Sequence, residues 1–141
     1  MQDYIFLEHT TDVLIEAYGR TLEEAFNNAG RGLVDTMVDI KTIECKIKEK
    51  FDVIGKDMEN LLYNWLESVL IKVTLNNKIF VSFNVKIQQE KEGFSLQGIG
   101  IGEKLNLKKH NPKTEAKSAT YHLMRIKKEK NKISLRFLID I

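Results

Sequence analysis

Residues 45–53, CKIKEKFDV, and residues 57–73, DMENLLYNWLESVLIKV, carry two different periodicities and decide the fold between them. In the first stretch, Ile47, Glu49, Phe51 and Val53 fall on one face with Cys45, and three lysines and an aspartate fall on the other. This alternation is typical of a half-exposed antiparallel strand. It also places Cys45 on the inner face, as a small apolar filler.

The second stretch follows Gly55, which ends the strand, and begins with an aspartate suited to cap a helix. Its apolar residues recur at helical spacing from Leu61 to Val73, with Trp65 near the middle. The apolar face is wide, so the sequence predicts an amphipathic helix that is the more buried of the two helices in the chain.

Upstream, Thr21 and Glu24 form a capping-box pattern, and apolar residues from Leu22 to Met37 continue at helical spacing. A short apolar segment at residues 4–7 and a strand at residues 13–18 precede this first helix. Downstream, alternation predicts strands at residues 79–88, 94–101, 113–127 and 133–141. Gly98, Gly100 and Gly102 alternate along one of them, where the backbone is expected to pass close to another element. The sequence therefore predicts an α+β, two-layer fold, with two amphipathic helices packed on a mostly antiparallel sheet in one domain over residues 1–141.

Composition excludes several functional classes. The chain has 141 residues, a formal net charge of +2 and a single cysteine. One cysteine excludes a disulfide within the chain and a cysteine-based metal cluster. The balanced charge does not by itself indicate nucleic-acid binding. The absence of a long apolar stretch or a signal-like N-terminus favours a soluble, cytoplasmic protein that does not contact membranes.

Acidic groups near the C-terminus are the main candidates for chemistry. Asp140 and Ile141 close a strongly apolar strand, so the Asp140 side chain and a terminal carboxylate on Ile141 lie one residue apart. Fixed so close, two acidic groups need a cation, a donor cluster or a proton, and more so if Asp12 folds against them. Residues Lys113, Glu115 and Lys117 project on one face of a predicted strand and by spacing alone are a solvated charge ladder. His9 lies in the polar turn before Asp12, which it would hold in place.

Several motifs in order along the chain resemble the archease family. They are FLEHTTDV (residues 6–13), AYGRTLEEAF (17–26), Asp57 with LLYNWL (61–66), KTEAK (113–117) leading to Thr120-Tyr121-His122, and Ile139-Asp140-Ile141. The resemblance covers essentially the whole chain. The second Thr of HTTD stands where the family usually has Ala, a change that leaves the Asp12 carboxylate in place.

The resemblance implies an accessory protein of tRNA splicing. Archeases assist RtcB-type RNA ligases, which join a 2′,3′-cyclic-phosphate end to a 5′-hydroxyl end; they promote guanylylation of the ligase and so its multiple turnover. On this basis the partner is the ligase, tRNA is reached indirectly through it, and the chain is not itself an enzyme.

The family's metal site maps onto Asp12, Asp140 and the terminal residue Ile141. All-oxygen ligation suits a hard divalent cation, and calcium is the family's usual assignment. The resemblance also makes His9, Lys113, Glu115 and Lys117 candidates for ligase activation. Two other functions stay open: a metal-dependent hydrolase acting on nucleotides or RNA ends, for which His9 is the local candidate base, and a general chaperone-like binding module.

Overall fold

A computed structural model describes residues 1–7 and 11–141 of the chain. It contains two α-helices, a single turn of 3-10 helix at Ile40–Thr42, and seven strands. The helices are α1 (Leu22–Met37) and α2 (Met58–Thr74), and the strands are β1 (Tyr4–Leu7), β2 (Asp12–Gly19), β3 (Ile47–Gly55), β4 (Lys78–Glu90), β5 (Gly93–Lys104), β6 (Ser118–Glu129) and β7 (Lys132–Asp140).

The strands form two sheets rather than one. Sheet A has the order β1-β2-β7-β6 and sheet B the order β3-β5-β4, and every neighbouring pair is antiparallel. Helix α1 contacts β2 of sheet A and β4 of sheet B, and helix α2 contacts β3 and β6, so both helices join the two sheets in one core. The predicted α+β class with antiparallel strands is confirmed.

Both helices begin where the sequence predicts. The Thr21 hydroxyl accepts a hydrogen bond from the Glu24 amide at 3.1 Å, and the Asp57 carboxylate accepts one from the Asn60 amide at 2.8 Å. Such caps satisfy amide groups that the helix itself leaves unpaired. Within residues 1–7 and 11–141, no helix is long and apolar enough to span a bilayer.

The prediction that α2 is the more buried helix is wrong. Helix α1 has ten buried residues among its 16, against seven of 17 in α2. Small residues on α1 explain the difference, because they let β-sheet side chains approach the helix backbone. A Cβ atom added at Gly30 would lie 2.8 Å from the Phe83 ring, and one at Gly32 would lie 3.1 Å from Ile15.

The alternating glycines of β5 mark close approaches, which confirms the prediction: Gly98 and Gly102 lie against β4, and Gly100 lies against an aromatic cluster. A Cβ atom on Gly100 would lie 2.7 Å from the ring of Phe80 and 2.8 Å from the ring of Phe51. Phe51 in turn contacts Trp65 edge to face, with ring centroids 5.1 Å apart, and the Trp65 indole donates to the Phe26 carbonyl at 2.9 Å. Gly100 thus makes room for large aromatic side chains of the core.

Two local predictions need correction. Cys45 is exposed rather than inward, because β3 begins only at Ile47 and the alternation does not extend back to it. The strand predicted over residues 113–127 begins only at Ser118. Residues 113–117 lie outside the sheet because their first amide, that of Lys113, donates to the Met37 carbonyl at the end of α1 rather than to a neighbouring strand.

Candidate functional site

The structure brings Asp12 and Asp140 together across sheet A. Asp12 is the first residue of β2 and Asp140 the last of β7, and the two are direct partners in the antiparallel register. Directly opposed residues present their side chains on the same face, with Cβ atoms about 4.5–5.5 Å apart. On the far side of β7, Ser118 of β6 is the register partner of Asp140. Residues from opposite ends of the chain thus form one carboxylate pair.

Strand alternation places this pair on the face of sheet A opposite Ile139, and Asp12, where β2 begins, lies near the last turn of α1. Ile139 belongs to the hydrophobic core cluster, whereas Leu138, which shares a face with Asp140, is buried outside that cluster. Asp140 is exposed and Asp12 is partly buried. The Asp12 carboxylate accepts a hydrogen bond from the Thr11 hydroxyl at 2.7 Å.

The donor chemistry of the pair fits a hard cation. Two like charges directly opposite one another destabilise a sheet unless a cation or a proton intervenes. Among residues 1–7 and 11–141, no three His, Cys, Asp or Glu side chains cluster as a metal site. A cation at Asp12 and Asp140 would therefore need further oxygen donors. His9 lies outside the described residues.

A cavity of about 490 Å³ opens beside Asp12 and connects it with Lys113. Its lining combines apolar side chains from the start of sheet A with polar groups from α1 and from the segment before β6: Phe6, Leu7, Asp12, Val13, Asp35, Thr36, Lys113 and Thr114. The exposed ring of Phe6 forms part of its rim. Asp12 and Lys113 therefore border the same cavity, one from β2 and one from the segment that leads into β6.

Asp35 is a residue of this cavity that the sequence analysis missed. It accepts hydrogen bonds from the Tyr4 hydroxyl at 3.0 Å, from the Ile40 amide at 3.2 Å and from the Lys113 ammonium at 3.1 Å. Burial, and next the Asp35 carboxylate, raise the pKa of Tyr4 well above its ordinary value. The sequence does contain one signal for Asp35. It lies in the last turn of α1, which holds no basic residue, and an acidic side chain there is unfavourable for the helix dipole, so it indicates a partner from elsewhere in the chain.

Lys113, Glu115 and Lys117 alternate as exposed residues, but they are not part of a strand ladder. Lys113 is tied to the end of α1, since its ammonium also contacts the Asp35 carbonyl at 2.9 Å. At the other end, the Lys117 amide donates to the Asp140 carbonyl at 2.8 Å. The segment therefore runs from the Asp35 cavity to the carboxylate pair, and Ala116 is buried between its charged residues.

A buried histidine anchors the start of this segment. His110 is fully buried, and its Nδ1 accepts a hydrogen bond from the Asn106 amide at 2.9 Å, while its Nε2 lies 3.0 Å from the Glu103 carboxylate. Burial alone would raise the pKa of Glu103, but hydrogen bonds from His110, from the Glu44 amide and from Lys109 outweigh it and lower that pKa to about 2. No local motif in the sequence indicates this network.

The Thr120-Tyr121-His122 motif lies where β6 departs from regular pairing with β7. Register partners stop at Thr120 and resume at Arg125, and Leu123 has a positive φ of 62°. Tyr121 stacks on Tyr63 of α2, with centroids 4.5 Å apart and an interplanar angle of 6°. The motif thus joins β6 to α2, and both Tyr121 and His122 are exposed.

Comparison with known proteins gives a consistent result. Residues 4–141 match the model of the archease protein family (MTH1598/TM1083). The chain is 40% identical over its full length to protein archease of Sulfolobus acidocaldarius, covering all of both proteins, and 41% identical over 128 residues to that of Pyrococcus abyssi, covering 91% of this chain and 90% of the other.

Solved structures agree with this result. The solution structure of Methanobacterium thermoautotrophicum protein 1598 superposes over all of both chains with a TM-score of 0.85 at 30% identity. The crystal structure of an archease from Thermotoga maritima shares the fold, with a TM-score of 0.61 at 18% identity over 96% of this chain and 94% of the other. With a family model matched over nearly its whole length and full-length relatives at about 40% identity, this chain belongs to the archease family.

Proposed function

We infer that this protein is an accessory factor of tRNA splicing that promotes guanylylation and multiple turnover of an RtcB-type RNA ligase. The inference combines family membership with one structural observation, the pairing of Asp12 with Asp140 across β2 and β7. The joining reaction belongs to the ligase, and no chemical step is assigned to the side chains of this chain. Its partner is the ligase, and the spliced tRNA is held by that enzyme.

The carboxylate pair is the part of the surface proposed to carry the activity. Asp12 and Asp140, with a terminal carboxylate on Ile141, would hold one divalent cation, and calcium suits their all-oxygen chemistry. Such an ion supplies positive charge where a nucleotide is transferred, a reaction governed largely by positioning and charge neutralisation. Asp12 also lines the neighbouring 490 Å³ cavity, so this member of the pair is accessible to a partner that enters it.

The segment from Lys113 to Lys117 is proposed to present charged groups to the ligase. Its two ends are fixed, by the Lys113 contacts to α1 and by the Lys117 amide on the Asp140 carbonyl, so that Lys113, Glu115 and Lys117 keep a set position beside the carboxylate pair. Fixed charges interact with a transferring phosphoryl group without a reorganisation cost at the moment of reaction. His9 stays a candidate from the resemblance alone.

Ligation assays with limiting ligase test the proposal. Purified ligase, guanosine triphosphate and RNAs ending in a 2′,3′-cyclic phosphate and a 5′-hydroxyl are incubated with this protein, and turnovers per ligase and ligase guanylylation are measured. We expect Asp12→Asn and Asp140→Asn to stay folded and to lose most of the stimulation. Asp52→Asn, which removes an exposed carboxylate from sheet B, should stimulate like the unaltered protein.

Full stimulation by both Asp12→Asn and Asp140→Asn would overturn the role of the pair. An assay without ligase separates the proposal from the hydrolase alternative. Turnover of guanosine triphosphate or of the cyclic-phosphate RNA by this protein alone, lost in Asp12→Asn, would overturn the assignment of an accessory role.

A further inference from the structure

The hairpin that joins β6 to β7 is the most basic part of the chain. Residues 125–132, RIKKEKNK, contain five cationic side chains and one carboxylate, whereas the whole chain has a net charge of only +2. Arg125, Lys127, Lys128 and Lys130 are all exposed. Positive charge is therefore concentrated on one hairpin, although the net charge of the whole chain is nearly balanced.

Cross-strand pairing concentrates this charge further on the outer face of sheet A. Arg125 of β6 is the direct register partner of Arg136 of β7, and Lys127 is the partner of Ser134. Like charges placed directly opposite one another are unfavourable, and the Glu16 carboxylate, 2.9 Å from Arg136, neutralises one of these two guanidinium groups and not both. Around these residues lies a cavity of about 230 Å³, lined entirely by polar side chains: Glu16, Arg125, Lys127, Glu129, Lys132, Ser134 and Arg136.

The two carboxylates in this cavity are already engaged. Glu16 accepts hydrogen bonds from Arg136 at 3.0 Å and from the Tyr18 hydroxyl at 2.8 Å, and Glu129 pairs with Lys127 at 3.1 Å. In the described part of the chain, Arg125, Lys128 and Lys130 form no salt bridge with a carboxylate. The hairpin thus carries cations in excess of the anions that the fold provides.

The composition of the face indicates the kind of partner. Protein–protein interfaces centre on apolar side chains, whereas protein–nucleic acid interfaces are more polar and much more positive. Guanidinium groups such as that of Arg125 match the geometry of phosphate oxygens. Arg125 and Lys127 lie two residues apart along β6, about 6.6 Å at the usual rise of a strand, so they form a row that a linear polyanion can follow.

We propose that the β6–β7 hairpin, together with Arg136, binds the phosphodiester backbone of single-stranded RNA without reading its bases. The choice of RNA rests on the proposed function. The surface continues toward Asp140, which lies four residues from Arg136 on the same face of β7, about 13 Å along the strand. RNA on the hairpin would lie on the same face of sheet A as the carboxylate pair, and its contact with this chain would be direct rather than only through the ligase.

Fluorescence anisotropy of the purified full chain with a labelled, mixed-sequence, single-stranded RNA tests the proposal. The double variant Arg125→Gln/Lys127→Gln should weaken binding at least about tenfold at about 50 mM salt, and lower the slope of log affinity against log salt by about 1.4, because each lost phosphate contact contributes about 0.7. The matched control Lys48→Gln/Lys50→Gln removes two exposed cations from sheet B and should bind like the unaltered chain.

Competition distinguishes the ligand classes. Unlabelled RNA should displace the probe, whereas a polyglutamate peptide of equal charge and guanosine triphosphate should not do so at matched concentration. Absence of RNA binding at low salt, equal weakening in the sheet B control, or displacement by either competitor as effective as that by RNA would overturn the proposal. Because no ligase is present, these outcomes leave the proposed ligase role untouched, and that role is tested separately with Asp12→Asn and Asp140→Asn.

Discussion

The Lys113 ammonium lies 3.1 Å from the Asp35 carboxylate and 2.9 Å from the Asp35 carbonyl, so the side chain donates two hydrogen bonds to the last turn of α1. Carbonyl groups at the end of a helix have no partner within it, and a cation there is favourable for the helix dipole. The contact therefore stabilises α1 and positions the charged segment at the same time.

Substitution of Lys113 and substitution of Asp35 should lower the free energy of unfolding by different amounts. Lys113→Met should cost less than about 1 kcal/mol, because the ion pair is partly exposed. Asp35→Ala should cost more, because it also leaves Tyr4 and the Ile40 amide without their acceptor. Urea denaturation measures both, with Lys50→Met as an exposed control. An equal loss of stability in the two variants would contradict the role given to Asp35.

Calcium should raise the melting temperature of the unaltered protein. A ligand at a hundred times its dissociation constant stabilises the folded state by about 2.7 kcal/mol if it does not bind the unfolded chain. Asp140→Asn should melt higher than the unaltered protein in the presence of a chelator, because it removes a like charge opposite Asp12, and it should lose the calcium response. Differential scanning calorimetry checks both effects. A calcium response preserved in Asp140→Asn but lost in Asp52→Asn would place the ion elsewhere.

Acid should destabilise the fold partly through Glu103. Its pKa in the folded state is about 2, below the ordinary value of 4.5. The carboxylate therefore contributes its full stability above about pH 4.5, and the contribution disappears as the pH falls toward 2. Glu103→Gln should thus lose more stability at pH 6 than at pH 3 relative to the unaltered protein.

Glu44→Gln is the matched control for this pH dependence, since Glu44 contacts the same Lys109 from an exposed position. Hydrogen bonding to Lys109 lowers the pKa of Glu44 as well, so the control changes in the same direction but by less. Urea titrations over this pH range measure the difference. A Glu103→Gln variant whose stability deficit does not depend on pH would show that the carboxylate charge is unimportant there.

Gly100→Ala should destabilise the protein by about 1–3 kcal/mol, the usual effect of overpacking a filled core. The added methyl group would lie 2.7 Å from Phe80 and 2.8 Å from Phe51, and both rings are held by further aromatic contacts. Gln97→Ala, on the exposed face of the same strand, is the control and should change the midpoint of thermal unfolding little. A Gly100→Ala variant as stable as the unaltered protein would mean that the aromatic cluster can accommodate the added methyl group.

The sequence predicts most elements because their periodicities are local. Both caps, Thr21 and Asp57, lie at the helix starts, and alternation in residues 47–53 gives the correct inward face of β3. The error at residues 113–117 has the same origin: Lys113, Glu115 and Lys117 do alternate in exposure, but alternation does not reveal whether the backbone forms a continuous ladder. Here the Lys113 amide bonds to the end of α1 and the Lys117 amide bonds to the last residue of β7.

The candidate site depended more on family resemblance. The residues alone indicate an acidic strand end at Asp140 that Asp12 could join, and the matching motifs assign the two to one metal site. Their registration follows from the pairing of strands at the two ends of the chain, which no periodicity encodes. Asp35 and the buried His110–Glu103 pair were missed because each contact joins segments that meet only in the folded state. The concentration of positive charge in residues 125–132 is visible in the sequence, but only the strand register places Arg136 beside Arg125.

The last strand in sequence, β7, lies in the interior of sheet A, between β2 and β6. Without β7, β6 has no neighbouring strand in sheet A and β2 pairs with β1 alone, and Glu16 lacks its contact with Arg136, which lies 120 positions further along the chain. Closure of such distant pairings is slow, because loop entropy is lost before contacts compensate for it. The basic face needs only the local β6–β7 hairpin, whereas the carboxylate pair exists only once β7 has paired with β2, so a chain whose two ends have not met would lack the pair.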